Sequence, residues 1–301
     1  MKPENGINLN KFDYFPLEEY VRRIKVEDYV LEHMEETNKE FDEYLSTLAR
    51  CDDYTKIYYF LDAISQEIIS SHKMEKHHIK NKDILENDLF FSSLNVSHAN
   101  IKRVHNVIMK DSTDYRKGEV RVSSLVNGEE KIYWYGAKPE DVKPFMDDFI
   151  KFYKTKSLSV IDSNPFLKSA LAHLLFVRIH PFSDGNGRTA RMIYNMKLTE
   201  RINNVYGMNL KICPLNISQS ILLNQPTYVK RINDIYFDLE HDSNDEINRW
   251  FDFILNMTDE QLYFNTNRLP RLKKIASLDD NVKKIPSEGM KKEVEKIKVL
   301  K

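Results

Sequence analysis

The residues with the greatest chemical content lie in one stretch, His180-Pro181-Phe182-Ser183-Asp184-Gly185-Asn186-Gly187-Arg188-Thr189-Ala190-Arg191. The chain of 301 residues has only eight glycines, and two of them, Gly185 and Gly187, are separated by a single asparagine. Glycine costs a helical protein stability, so this local density points to a backbone with a special task. Two close glycines let successive backbone N–H groups point into one concavity, and a helix beginning near Gly187 adds its positive end, which together make an anion site. Arg188 and Arg191, three apart on the first turn of that helix, can face the same anion and grip it through forked hydrogen bonds. Two arginines beside such a nest imply more than one phosphate. Asp184 at the rim would repel a bare phosphate but can hold Mg²⁺ that bridges phosphate oxygens. His180, at the end of the preceding helix, ordinarily titrates near neutrality and can accept a hydroxyl proton, a contribution of about 10² to 10⁴ in rate. Each element alone has a plainer meaning, because Asp-Gly-Asn-Gly is commonly a turn and a helix-end histidine a cap. The pattern HxFx[DE]GNGRxxR specifies eight positions, however, and its chance occurrence in a chain of this length is on the order of 10⁻⁸.

The elements that must position these residues are mostly α-helical. Proline is absent between Pro16 and Pro139, and apolar spacing predicts one or two helices near 17 to 49 and another near 53 to 75. Ser97 reads as the cap of a short helix through Ile108. Between Gly118 and Gly136 the period changes to two, and Asn127-Gly128 sits between the two alternating runs. Such a pair suits the type I′ turn of a β-hairpin, which needs positive φ at both central residues. Helices resume at Pro139. The run Phe166 to Ile179 is apolar on nearly every side, which marks a central buried helix, and the His180-Pro181 junction ends it. Further helices are predicted near 217 to 240 and 245 to 264, followed from Asn265 by a basic peripheral tail with one helix near 288 to 299.

Composition narrows the field of functions. With 45 basic and 46 acidic side chains, there is no global footprint for nucleic acid. Lysines in the tail alternate with acidic residues and read as a solvated face. Cys51 and Cys213 form no ligand spacing, which argues against a structural zinc and for a reducing compartment. Adjacent His77 and His78 point apart on a helix and suggest no metal site. No GxxxxGK[ST] phosphate loop is present. Neither a leader h-region nor a membrane span is read, so the expected location is cytoplasmic, with the sequons at Asn95, Asn216 and Asn256 unglycosylated.

The stretch HPFSDGNGRTAR resembles the signature of Fic-domain proteins in all eight specified positions, and the order of hairpin, helix, motif and helix is similar to a Fic core. The resemblance implies a mostly α fold, a Fic helical bundle with one β-hairpin flap and an N-terminal helical extension. It divides the chain into 1–96, an N-terminal helical region carrying an inhibitory helix, a core at 97–264, and a tail at 265–301. The implied activity is transfer of AMP from Mg-ATP to a Ser, Thr or Tyr hydroxyl of a target protein. Removal of AMP, transfer of another phosphate-linked group, or nucleotide sensing and peptide binding without turnover are the alternatives.

Under this resemblance His180 is the base and Asp184 holds Mg²⁺. Gly185, Asn186, Gly187, Arg188, Thr189, Ala190 and Arg191 hold the nucleotide, with Arg191 reaching the γ-phosphate, while Phe182 packs the loop onto the core. Tyr228 resembles the tyrosine near the adenine pocket, and the hairpin is the flap that takes the target as an added strand. Ser71-His72-Lys73-Met74-Glu75 resembles the family's inhibitory motif, with Ser71 and Glu75 on one helix face and the Glu75 carboxylate presented to Arg191. Lys76 departs from it, since the family has Gly or Asn there. Partly exposed apolar faces on the N-terminal helices are compatible with a homodimer.

Overall fold

The structure is a computed structural model that describes residues 14–76, 95–111, 113–155, 159–206, 213, 215, 217–241 and 243–278. The tail helix expected at 288 to 299 and the His77-His78 pair lie outside the described residues. Helices α1 (Leu17–Arg23), α2 (Asp28–Ala49), α3 (Asp53–Met74) and α4 (His98–Met109) precede a hairpin of β1 (Arg121–Val126) and β2 (Glu129–Tyr135). Then come α5 (Val142–Lys154), α6 (Pro165–Ile179), α7 (Asn186–Tyr206), α8 (Ile217–Leu223), α9 (Gln225–His241) and α10 (Asp245–Leu278). The helix starts have local causes. Asp52 accepts from the Thr55 N–H, Ser97 from Asn100, and Asn164 from both Phe166 and Leu167, with Pro165 occupying the first turn, where its missing N–H costs nothing.

α6 is the axle. Every residue from Phe166 to Ile179 is buried, and neighbours close on it from several directions: α7 and α5 pack along it, and Trp250 of α10 donates its indole N–H to the Ala170 carbonyl at 2.8 Å. α6 therefore delivers His180 from a rigid support. The hairpin turns at Asn127 and Gly128, both at positive φ, and a bulge interrupts its antiparallel register between Val122 and Ser123.

Two boundaries differ from the sequence reading. The expected helix at 217 to 240 is broken at Asn224, just before Gln225-Pro226, into α8 and α9. The last helix does not stop near 264 but runs to Leu278, because the apolar period continues under the basic surface: Asn265, Leu269 and Leu272 are buried, and Arg268 pairs with Asp62 of α3. Lysines and arginines there cover one face of a packed helix.

α2 is tied to α10 by His33, whose Nδ1 lies 2.8 Å from Asp252 and Nε2 2.7 Å from Asp259, while Thr37 donates to the other oxygen of Asp259. Hydrogen bonding to Asp259, with that to Asp252, outweighs burial and raises the imidazole to about 9. A raised folded-state pKa means that the stabilisation is complete below the ordinary histidine pKa and disappears as pH rises through about 9. His33→Ala is expected to lower the Tm clearly at pH 6 and much less at pH 10; equal losses at both would assign the histidine a packing role only.

Candidate active site

His180 follows the last residue of α6 in a left-handed conformation, φ 53° and ψ 59°, as a residue squeezed between a helix end and a proline can. Its Nδ1 lies 3.0 Å from the Val177 carbonyl. That carbonyl can only accept, so Nδ1 carries the proton and Nε2 is left as the basic nitrogen. Burial, with the charges of Arg116 and Arg178 alongside, depresses the imidazole to about 4, so the ring is neutral near pH 7. Arg116 locks this corner. Its guanidinium donates to the carbonyls of His180 at 2.6 Å, Gly118 at 2.7 Å, Ile179 at 3.3 Å and Ala137, and its backbone N–H donates to Pro181. Burial lowers the arginine to about 10, which leaves it charged.

The loop after His180 is shaped by Asn186. Its side chain accepts from the Phe182 N–H at 2.9 Å and donates to the Phe182 carbonyl at 2.8 Å, closing the turn. With its side chain engaged in shaping the loop, Asn186 can cradle phosphate only through its backbone N–H. Thr189 donates to the Gly185 carbonyl and Ala190 is fully buried, so these two can meet a ligand only through backbone groups. Gly185 has φ +75°, and a Cβ there would stand 2.6 Å from Met109 Sδ. The first turn of α7 leaves N–H groups without helical partners, as every helix start does. Asp184 accepts from the Gly185 N–H at 2.6 Å, yet its side chain remains 66% exposed, at the rim as expected. Arg188, in contrast, is 5% exposed, and burial lowers its pKa.

The C-terminal end of α3 closes over this cradle. Arg191 donates from Nε to Ser71 Oγ at 2.9 Å, and from one terminal nitrogen to the Ser71 carbonyl at 2.9 Å and Glu75 Oε1 at 3.1 Å. The structure thus brings together Ser71, Glu75 and Arg191, more than a hundred residues apart in sequence. A Cβ on Gly187 would lie 2.7 Å from the same Glu75 oxygen, so the carboxylate sits directly on the glycine. Lys76 takes φ 57°, the left-handed end that Gly or Asn adopts readily, at a cost of roughly 1 to 2 kcal/mol for other residues. The helix ends there despite the lysine. Deeper along α3, Glu67 accepts from Asn195 of α7 and from both the N–H and the hydroxyl of Ser218 on α8. Burial raises this carboxyl, opposed by those hydrogen bonds.

Tyr228 lies behind Arg191 in the wall of the site. It is 6% exposed, its hydroxyl meets His173 Nε2 at 2.8 Å, and its ring packs between His173 and Trp250. Burial raises its phenol to about 12. Four participants were not found in the sequence: His105, Met109, Arg116 and Glu67. His105 and Met109 are spaced as neighbours on one helix face, a visible signal, but nothing local ties them to their loop partners 79 residues later.

Residues 95–198 match the Fic/DOC family. Curated relatives include Protein adenylyltransferase fic-1 of Caenorhabditis elegans, 30% identical over 101 residues, which are 34% of this chain and 19% of that protein. Protein adenylyltransferase Fic of Nematostella vectensis is 42% identical over 57 residues, 19% of this chain and 13% of that one. The chain spans only about a fifth of the length of the C. elegans relative. Among solved structures, a Fic family protein from Desulfovibrio desulfuricans superposes with a TM-score of 0.59 at 15% identity, over 85% of this chain and 78% of the other. A Fic domain containing signaling protein from Bacteroides thetaiotaomicron gives 0.55 at 16%, over 78% and 97%. These likenesses establish the mostly helical Fic fold.

Proposed function

We propose, from the premise that residues 95–198 are a Fic/DOC family domain, that the chain transfers AMP from ATP to a hydroxyl side chain of a protein. The observation that carries this reading is a histidine whose Nδ1 is taken by the Val177 carbonyl, leaving Nε2 to accept a proton, fixed at one end of a loop that leads into the start of α7 with two buried arginines, Arg188 and Arg191, on its first turns. In the reaction the target oxygen bonds to the α-phosphorus as the bond from that phosphorus to the bridging oxygen breaks. Pyrophosphate leaves, and the hydroxyl proton passes to His180 Nε2. Arg188 and Arg191 with the α7 start hold the phosphates and absorb charge as it moves to the leaving group.

Mg²⁺ fits the residues present. Mg²⁺ sites commonly use one or two carboxylates and complete the shell with substrate phosphates and water; Asp184 supplies one exposed carboxylate at the rim, and among the described residues no cluster of three or more acidic, His or Cys groups forms a protein-only cage. When bound, the ion would neutralise phosphate charge. The flap reading is supported by a two-stranded sheet whose outer edges are unpaired among the described residues, a surface that takes an extended segment by main-chain hydrogen bonds. Autoinhibition is supported by the Glu75–Arg191 contact, since the carboxylate occupies the ground a terminal phosphate would need. Among the described residues no helix is long and apolar enough to cross a membrane.

Incubating the protein with ATP labelled at the α-phosphate, and separately at the γ-phosphate, tests the reading. Label from the α position alone is expected on protein. Transfer of γ label would make the chain a phosphotransferase, and no label from either, with a Glu75→Gly variant included to relieve inhibition, would reject catalysis.

A further inference from the structure

The contact between α4 and the motif loop holds an arrangement that the proposed chemistry leaves unexplained. Met109 Sδ accepts from an Arg188 terminal nitrogen at 3.0 Å. The same nitrogen is 3.6 Å from Asp184 Oδ2, too long for a good hydrogen bond although the charges are opposite. An arginine that is 5% exposed, with its Nε lacking any hydrogen-bond partner, should close that gap. Two contacts from α4 oppose closure. Met109 gives the guanidinium a neutral acceptor and fills the space above Gly185, where a Cβ would meet its sulfur at 2.6 Å. One turn earlier, His105 donates from Nε2 to the Asp184 carbonyl at 2.8 Å, accepts at Nδ1 from Thr113 at 2.9 Å, and stacks on Phe182 with ring centroids 3.7 Å apart and planes 14° off parallel. The loop backbone on which Asp184 rides is therefore pinned, and one oxygen of its carboxylate is engaged by the Gly185 N–H at 2.6 Å.

We propose that Met109, on the α4 face it shares with His105, is a positioning residue that holds Arg188 away from Asp184. A collapsed Arg188–Asp184 pair would consume both the guanidinium that phosphate needs and the carboxylate that a divalent cation needs. A thioether suits the task because it is a weak acceptor. It orients the arginine in the resting protein and gives way to a phosphate oxygen, whereas a carboxylate there would keep hold of it. The inference rests on the AMP-transfer reading only in naming ATP as the anion.

The test compares the full chain with Met109→Leu, which keeps the packing above Gly185 but removes the acceptor, and Met109→Gln, which restores one. Two quantities are read: the Arg188–Asp184 distance in crystal structures, and the gain in ATP affinity on replacing EDTA by Mg²⁺ in calorimetric titrations. In Met109→Leu the pair is expected to close into direct hydrogen-bond distance and the Mg²⁺-dependent gain to fall about tenfold, with Met109→Gln returning both toward the unaltered protein. A Leu variant whose pair stays apart overturns the proposal whatever the affinity does, and so does one whose pair closes while the gain persists. If the unaltered protein binds no ATP under either condition, the AMP-transfer reading fails, and the crystallographic distance alone decides whether Met109 sets the pair.

Discussion

His180→Ala is expected to abolish transfer of label from α-labelled ATP while leaving nucleotide affinity within a few fold of the unaltered protein. The proposed reaction asks the ring only for proton removal. Its Nδ1 is occupied by the Val177 carbonyl and its backbone is held by Arg116, whereas the groups proposed to bind phosphate lie beyond it on the loop and on α7. Loss of a positioned base costs about 10² to 10⁴ in rate. Removing the imbalance between binding and turnover would defeat the assignment: if ATP affinity collapsed together with activity, His180 would be a structural corner and the base would have to be sought elsewhere. The left-handed conformation at 180 makes Asn the better second variant than bulkier replacements, because Asn tolerates that region.

Glu75→Gly is expected to raise the transfer rate about tenfold. Arg191 cannot pair with Glu75 and with a terminal phosphate at once. A hydrogen bond to a charged group is worth roughly 1.5 to 3 kcal/mol, and the lower end applies because Arg191 is buried but the Glu75 side chain is 39% exposed. The comparison that isolates this contact is a double-mutant cycle. In an Arg191→Ala background the glycine substitution should change nothing, since there is no arginine left to release. An equal increase in both backgrounds would point to loosening of the α3 end in general, and an unchanged rate in a folded Glu75→Gly protein would remove the inhibitory role while leaving AMP transfer standing.

Much of this architecture was legible in the chain because its causes are local. The all-round apolarity of 166 to 179, the cap at Ser97, the Asn127-Gly128 turn and the dense signature from His180 to Arg191 each state their structure within a few residues. That Ser71 and Glu75 share a helix face was legible for the same reason, from their spacing of four, while their contact with Arg191 came from the structure. What was not legible depends on partners distant in sequence. Arg116 reads as one more surface arginine until the carbonyls of Ala137, Ile179 and His180 surround it. Glu67 reads as a solvated charge until Asn195 and Ser218 close on it. Thr189 and Ala190 lie inside the motif, but the sequence does not show that helix geometry turns both side chains toward the interior. The extension of α10 was hidden by its own lysines and arginines, whose number says little about the buried stripe at Asn265, Leu269 and Leu272.

The clamp at Glu67 limits how much of α3 could move if the proposed inhibition is to be relieved. Withdrawing α3 as a rigid rod would strip a buried carboxylate of Asn195 and Ser218 and undo the packing of α3 on α8 and α10, an opening as costly as losing much of the fold and correspondingly rare. Beyond Glu67 only about two turns remain before the chain reverses at Lys76, and this end is docked rather than free: Ser70, Ser71 and Met74 are buried, Arg191 donates to Ser71 and Glu75, and Gln225 donates to the Met74 carbonyl. Releasing it means breaking those contacts as one local unit, which costs more than the fraying of a free helix end and less than global unfolding. An activating partner would have only these two turns to displace, with the Glu67 clamp and the rest of α3 left in place.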